Sequence, residues 1–414
     1  MLTKSFFFLN KDPGVSKLSS FSLVLFFILL SDAVLSFWVP NFLQGSLGSA
    51  FLMGIVVSFS SIVGFTADLV FPQLLKNYSV RKLILSAILL GVLFIASLFW
   101  GTTIPHVLIF LIAMAVWGIY YEFLGFGVQQ FIADTMSLKM RVEGWAIVGI
   151  FKSLAYFLGP IFAGWLIMRG EYILLFVCLT FVLFGYLTYT SISKTHDRKV
   201  SIEANNVNLW REISHWKELF PRIWPILTIS LLMGTIDASF WTVGAVWTEK
   251  LSQIHPFGFF VLPAYELPFL FIPLMFTRLN IFEGKKALSE KLILTSGLLL
   301  ILLIIKTGVI TKILIVFLSS IFLAGAKPLV DAVYTDIVAR MGVERKHLVG
   351  LSSSTVSLAY IVSPALAGFL ASRFGETATF VIIGVLAINV SLLLLIFTPK
   401  KLRLPETEIQ KWED

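Results

Sequence analysis

Long apolar runs alternate with short polar connections along the whole chain. A helix needs about 20 mostly apolar residues to cross ~30 Å of hydrocarbon. Twelve runs reach that length: 20–43, 48–75, 83–100, 104–133, 144–168, 172–192, 223–247, 257–277, 288–306, 311–339, 348–372 and 376–397. The pattern predicts an all-α membrane protein with twelve transmembrane helices. The long polar connection at 193–222 separates a six-helix bundle at 1–192 from another at 223–397, and a polar tail follows at 398–414. In the second part of that connection Trp210, Ile213, Trp216, Leu219 and Phe220 recur at helical spacing opposite Arg211, Glu212, Lys217 and Glu218. Such an amphipathic helix suits the membrane surface, or packs on the cytoplasmic ends of the spans.

The two bundles read as copies of one unit. Residues 153–166, SLAYFLGPIFAGWL, and 357–370, SLAYIVSPALAGFL, share eight of fourteen positions at a shift of 204. Ser36-Phe37-Trp38 returns as Ser239-Phe240-Trp241 at a shift of 203, and Lys82 to Leu85 return as Lys291 to Leu294 at a shift of 209. A repeat of this length in so apolar a chain points to a membrane protein of two pseudo-symmetric halves.

Composition agrees. With 57% hydrophobic and 14% charged side chains and a mean hydropathy of +0.91, the chain has too little polar surface for water. The net charge of +8 does not imply nucleic acid, because the bases fall in clusters between apolar runs. Cytoplasmic loops are enriched in Lys and Arg, and the twelve-span model puts 25 of them on one side and five on the other. Both termini are therefore expected in the cytoplasm, in the plasma membrane if the source is prokaryotic. The first span is expected to stay as an anchor. The single cysteine, Cys178, allows no intramolecular disulfide and no thiolate metal site.

Two six-helix halves joined by a cytoplasmic loop resemble the major facilitator superfamily of secondary transporters. Gly64 and Asp68 keep the glycine-to-acid spacing of that family's loop motif after the second span, with Leu69 in place of the base and Arg81-Lys82 arriving late. The resemblance implies a loop gate in which Asp68 and Arg81 take part. In the fifth span Ala155, Gly159, Pro160, Ala163 and Gly164 resemble the family's antiporter motif. Small residues let helices approach and proline bends them. Because Ala359, Ser363, Pro364, Ala367 and Gly368 repeat the signature, a purely structural role stays open beside a marker of export.

Charges inside the spans are the candidate chemistry, since each costs at least ~2.5 kcal/mol at mid-span. Counting ~1.5 Å per residue from the nearest cytoplasmic loop puts Asp32 and Asp237 at roughly 20 Å depth. Glu122, Lys152, Glu266 and Lys327 also fall near mid-depth. Glu122 and Lys152 stand on neighbouring helices and can pair, and Asp331 is one turn from Lys327. Asp32, Asp237 and Glu266 are left without an evident partner. Burial disfavours the charged form of a carboxyl, which suits such groups to take up and release protons.

Aromatic residues and prolines complete the set. Trp38 and Trp241 are candidates to line a cavity above the acids, or to sit in the interfacial belt. Tyr121, beside Glu122, and the repeated Tyr156 and Tyr360 offer hydroxyls at mid-depth, for a cavity or for packing. Pro263, Pro268 and Pro273 predict a broken eighth span beside Glu266.

No enzyme is expected: His106, His196, His215, His255 and His347 lie in loops or at span ends, and no catalytic motif accompanies them. No cofactor or metal is expected. The favoured expectation is a monomeric secondary carrier that moves a small organic solute by alternating access through a cavity between the halves. Protons drive it, with Asp32 and Glu266 as leading carriers, and efflux is preferred to uptake of a sugar or metabolite. The alternative of another class is a non-transporting receptor or assembly factor on the same fold.

Overall fold

The computed structural model describes residues 13–74, 78–136, 141–192, 209–276, 283–341 and 345–399. The polar connection at 193–208 and the tail at 400–414 lie outside the described residues. Six helices make the first half: α1 (Pro13–Leu47), α2 (Ala50–Leu74), α3 (Val80–Thr103), α4 (Val107–Thr135), α5 (Arg141–Ile167) and α6 (Glu171–Ile192). The second half begins with α7 (Leu209–Ser239), a π-helical turn at Phe240–Gly244 and α8 (Ala245–Ile254). A 3-10 turn at Pro256–Phe260 leads into α9 (Val261–Phe276), and α10 (Lys285–Ile301), α11 (Val309–Met341), α12 (Arg345–Phe374) and α13 (Glu376–Phe397) follow. Among the described residues twelve stretches are long and apolar enough to cross a membrane, the number expected from hydropathy.

Two expectations are corrected here. Residues 209–220 do not form a separate surface helix but the beginning of α7, which enters the span through Pro221 and Pro225. The eighth span is not broken by three prolines, because α9 is continuous. Pro263 falls in its first turn, where no backbone donor is needed. Pro268 does free the carbonyl of Ala264, and Ser320 of α11 donates to it at 3.4 Å.

The chain divides into two compact units, 1–48 with 59–204 and 49–58 with 205–414. In the first, α1 packs on α5 and α6, and α3 on α4 and α6. In the second, α7 packs on α12, and α10 on α11 and α13. The duplicated sequence is thus a duplicated packing scheme. Lipid offers no hydrophobic drive for helices to associate, so close approach of small residues carries the contact. A Cβ on Gly159 of α5 would stand 2.4 Å from the Cβ of Ala33 in α1, and one on Gly234 of α7 would stand 2.7 Å from Ala359 of α12.

The outer faces carry exposed Leu108, Phe176, Leu187 and Ile396, as a lipid solvent requires. Two histidines are structural caps: His106 Nδ1 accepts from Leu108 N–H at 3.2 Å and His255 Nδ1 from Phe257 N–H at 3.2 Å. Cys178 is buried, and its carbonyl accepts from Ser31 at 2.9 Å. At the head of α10, Lys286 is 3% and Glu290 1% exposed, paired at 2.6 Å. The same Nζ donates to Thr398 at 2.6 Å, which ties α10 to the end of α13.

Candidate functional site

The apolar spans fold around their few acids. In the first unit Asp32 of α1 is 3% exposed and takes three hydrogen bonds from neutral donors. Trp117 Nε1 of α4 donates to Oδ1 at 2.8 Å, while the Tyr121 and Tyr156 hydroxyls, from α4 and α5, both donate to Oδ2 at 2.6 Å. The two phenol oxygens stand 3.2 Å apart, and neither tyrosine is fully buried. The packing that positions them is legible: Gly159 seats α5 on Ala33, next to Asp32. Pro160, four residues after Tyr156, leaves that tyrosine's carbonyl without its helical donor. Phe94 stacks on Trp117 with centroids 5.1 Å apart, holding the indole edge toward the acid.

The second unit repeats the arrangement. Asp237 of α7 accepts from Tyr265 of α9 at 2.8 Å and from Tyr360 of α12. Pro364 follows Tyr360 by four residues, as Pro160 follows Tyr156. One difference separates the halves: Thr235, which the repeat aligns with Asp32, instead accepts from Ser363 at 3.0 Å. The π-helical turn of this span puts Phe240 flat on Tyr265, 4.0 Å between centroids. It also turns Trp241 so that its Nε1 donates to Oε1 of Glu266 at 2.9 Å; Glu266 is 7% exposed.

These contacts correct the expectation that Asp32, Asp237 and Glu266 lack partners. Each is held by phenol or indole donors, which satisfy lone pairs without adding a charge. Trp241 belongs to Glu266, not to Asp237. Trp38 does not line a cavity: it is 2% exposed and stacks on Phe42 at 4.6 Å. The reason is helix length, since α1 continues to Leu47 and leaves Trp38 ~14 Å inside its end. Sequence reading missed Trp117 and Tyr265, whose aromatic rings have no contrast within apolar runs.

The other candidates are placed as follows. Glu122 of α4 shares a side-chain hydrogen bond with Asp68 of α2, and its Oε1 lies 3.2 Å from where a Cβ on Gly64 would be. Lys152 is exposed, stands 5.7 Å from the centroid of the Tyr156 ring, and its charge acts on Asp32. Lys327 and Asp331 are both exposed, one turn apart on α11, and the lysine's charge acts on the acid. Arg81 is exposed in the first turn of α3. Among the described residues no three of His, Cys, Asp and Glu gather as a metal ion requires. His196 lies outside the described residues.

Comparison with known proteins bears on the whole chain. The family profile "Major Facilitator Superfamily" matches residues 21–280 and 260–413. "Multidrug resistance protein 2" of Bacillus subtilis (strain 168) is 23% identical over 368 residues, 84% of this chain and 88% of that protein. Among solved structures, a peptide transporter POT superposes with a TM-score of 0.73 at 13% identity, over 92% of this chain and 93% of its own. The nucleoside transporter NupG does so with a TM-score of 0.64 at 12% identity, over 90% and 97%. At such identities the structural likeness is one of fold.

Proposed function

The chain belongs to the Major Facilitator Superfamily and is an integral, multi-pass membrane transporter of that kind, and from this we propose that it is a proton-coupled secondary carrier of a small organic solute. The observation that carries the reading is the pair of deep acids, Asp32 and Asp237, each bonded to two phenols in its own half. A charge placed mid-span and left without a cation in the bond is costly, and a proton removes that cost. The donors also crowd the carboxylate: with three bonds already made, Asp32 keeps little room for the several oxygen ligands a metal cation needs, whereas a proton needs one lone pair. Glu266, bonded to Trp241, is the third carrier candidate.

Alternating access would expose these acids to the two sides in turn. Efflux in exchange for protons is the preferred direction, supported by the relative named for multidrug resistance. The protein works as a monomer in the plasma membrane, with both termini in the cytoplasm. The test is purified protein in liposomes with an imposed pH gradient, screened against organic amines, acids, sugars and nucleosides. A solute flux that reverses when the gradient is reversed is expected. Flux indifferent to the gradient for every transported solute would overturn proton coupling.

A further inference from the structure

The buried Asp32 is separated from the accessible surface by two hydroxyls. Tyr121 is 36% exposed, its oxygen and that of Tyr156 are 3.2 Å apart, and both point their hydrogens inward at Oδ2. Lys152, also exposed, stands beside the Tyr156 ring. An ammonium at this depth costs at least ~2.5 kcal/mol against lipid and normally faces water or protein. Exposed as it is, Lys152 is placed to face water.

We propose that Tyr121 and Tyr156 form the proton's entrance to Asp32 and report its protonation state at the accessible surface by reversing the sense of one of their hydroxyls. The proposal rests on the proton-coupled reading above and adds the route and the readout. Phenol hydroxyls both donate and accept, but an indole N–H only donates. Trp117 must therefore stay as it is, and only the tyrosines can answer a change at Oδ2. With Asp32 ionised, both hydrogens are turned inward, so the remaining valences of both oxygens are lone pairs, one of which on Tyr121 is taken by Ser36. That face accepts hydrogen bonds from a solute's N–H or O–H groups.

The proton step balances as follows. A hydronium at the surface gives its proton to the oxygen of one tyrosine while that tyrosine's hydrogen passes to Oδ2. The phenol ends with one hydrogen, as it began, now directed outward, and Asp32 ends neutral. The carboxylic O–H then donates back to the phenol oxygen. That phenol hydroxyl has changed from acceptor to donor, and a solute that donates to it is released. Proton binding and solute binding thus exclude each other without both touching Asp32. The polar groups around the acid are Tyr120, Tyr121 and Trp117 on α4, Lys152 and Tyr156 on α5 and Cys178 on α6, with Ser36 of α1 bonded to Tyr121. In the second unit Asp237, with Tyr265 and Tyr360, has the same pair of phenols.

The experiment is infrared difference spectroscopy on the full chain in lipid discs, titrated and pH-jumped, with ring-deuterated tyrosine to identify the phenol band. Wild type is compared with Asp32→Asn, Tyr121→Phe, Tyr156→Phe and the double tyrosine variant. The expected result is a carboxylic band of Asp32 that rises on acidification together with a shift of a phenol band. Asp32→Asn loses both, and the double variant keeps the carboxylic band, loses the phenol shift and takes up the proton more slowly after the jump. The single variants keep one ring hydroxyl each and guard against a double variant that does not fold. A carboxylic band with no phenol change, or wild-type uptake in the folded Phe variants, overturns the entrance and leaves proton coupling standing. No carboxylic band from Asp32 at any pH overturns both.

Discussion

A carboxylate twenty residues into a membrane helix is decided by its immediate neighbours. Asp32 is held by an indole and two phenols, and each such bond to a charged group contributes about 1.5–3 kcal/mol. Trp117→Phe removes one donor while keeping an aromatic ring against Phe94. The variant is expected to lose about that much stability above the pH at which Asp32 ionises and less below it, read from thermal unfolding of the detergent-purified protein at several pH values. Equal destabilisation at every pH would mean that Trp117 matters only as packing. The pair Lys286–Glu290 makes the opposite case, two charges buried together. Lys286→Met leaves Glu290 buried and uncompensated, a loss of about 3–5 kcal/mol. The double variant Lys286→Met with Glu290→Leu should recover most of it in the same melting measurement. The acids themselves were legible as letters, since charge stands out in an apolar run. Their donors were not: Trp117 and Tyr265 look like any other aromatic residue until packing decides which way the ring faces.

At the scale of helices, the repeated stretch on α5 and α12 does several tasks at once. Its proline removes the helical donor from the carbonyl of the tyrosine that holds the acid, and in α5 its glycine admits α1. Gly159→Ala puts a Cβ 2.4 Å from that of Ala33 and 2.8 Å from its carbonyl carbon, so α1 and α5 must separate. Overpacking of this kind costs about 1–3 kcal/mol. It should also lengthen the bond from Tyr156 to Asp32, so that transport falls more than stability does. Comparing transport with the fraction of folded protein checks this, and equal losses would confine Gly159 to packing. This stretch was readable because it occurs twice. The π-helical turn at Phe240–Gly244 was not, since nothing in Phe-Trp-Thr-Val-Gly marks an extra residue in the turn. Yet such turns often sit at functional sites, and this one gives the two repeated tryptophans different fates: Trp38 stacks in the interior and Trp241 holds Glu266. The prolines of the eighth span misled for a related reason. A proline in a first turn, or one whose orphaned carbonyl meets Ser320, leaves the helix whole.

For the whole molecule, duplication explains both the fold and its departures from symmetry. Hydropathy and the repeat were enough to reveal twelve spans in two halves, because lipid leaves a chain few alternatives. They could not show that Asp32 and Asp237, two positions out of register, each meet the tyrosine that the repeat conserves. The function proposed at this scale is the exchange of a proton for a solute across the membrane. The most direct measurement uses liposomes containing wild type or Asp32→Asn, and compares solute–solute exchange without a gradient to accumulation driven by a pH gradient. The account predicts that Asp32→Asn, whose amide oxygen still accepts from the phenols but which neither takes up nor releases a proton, keeps exchange but loses gradient-driven accumulation. Accumulation at the wild-type level in that variant would contradict it.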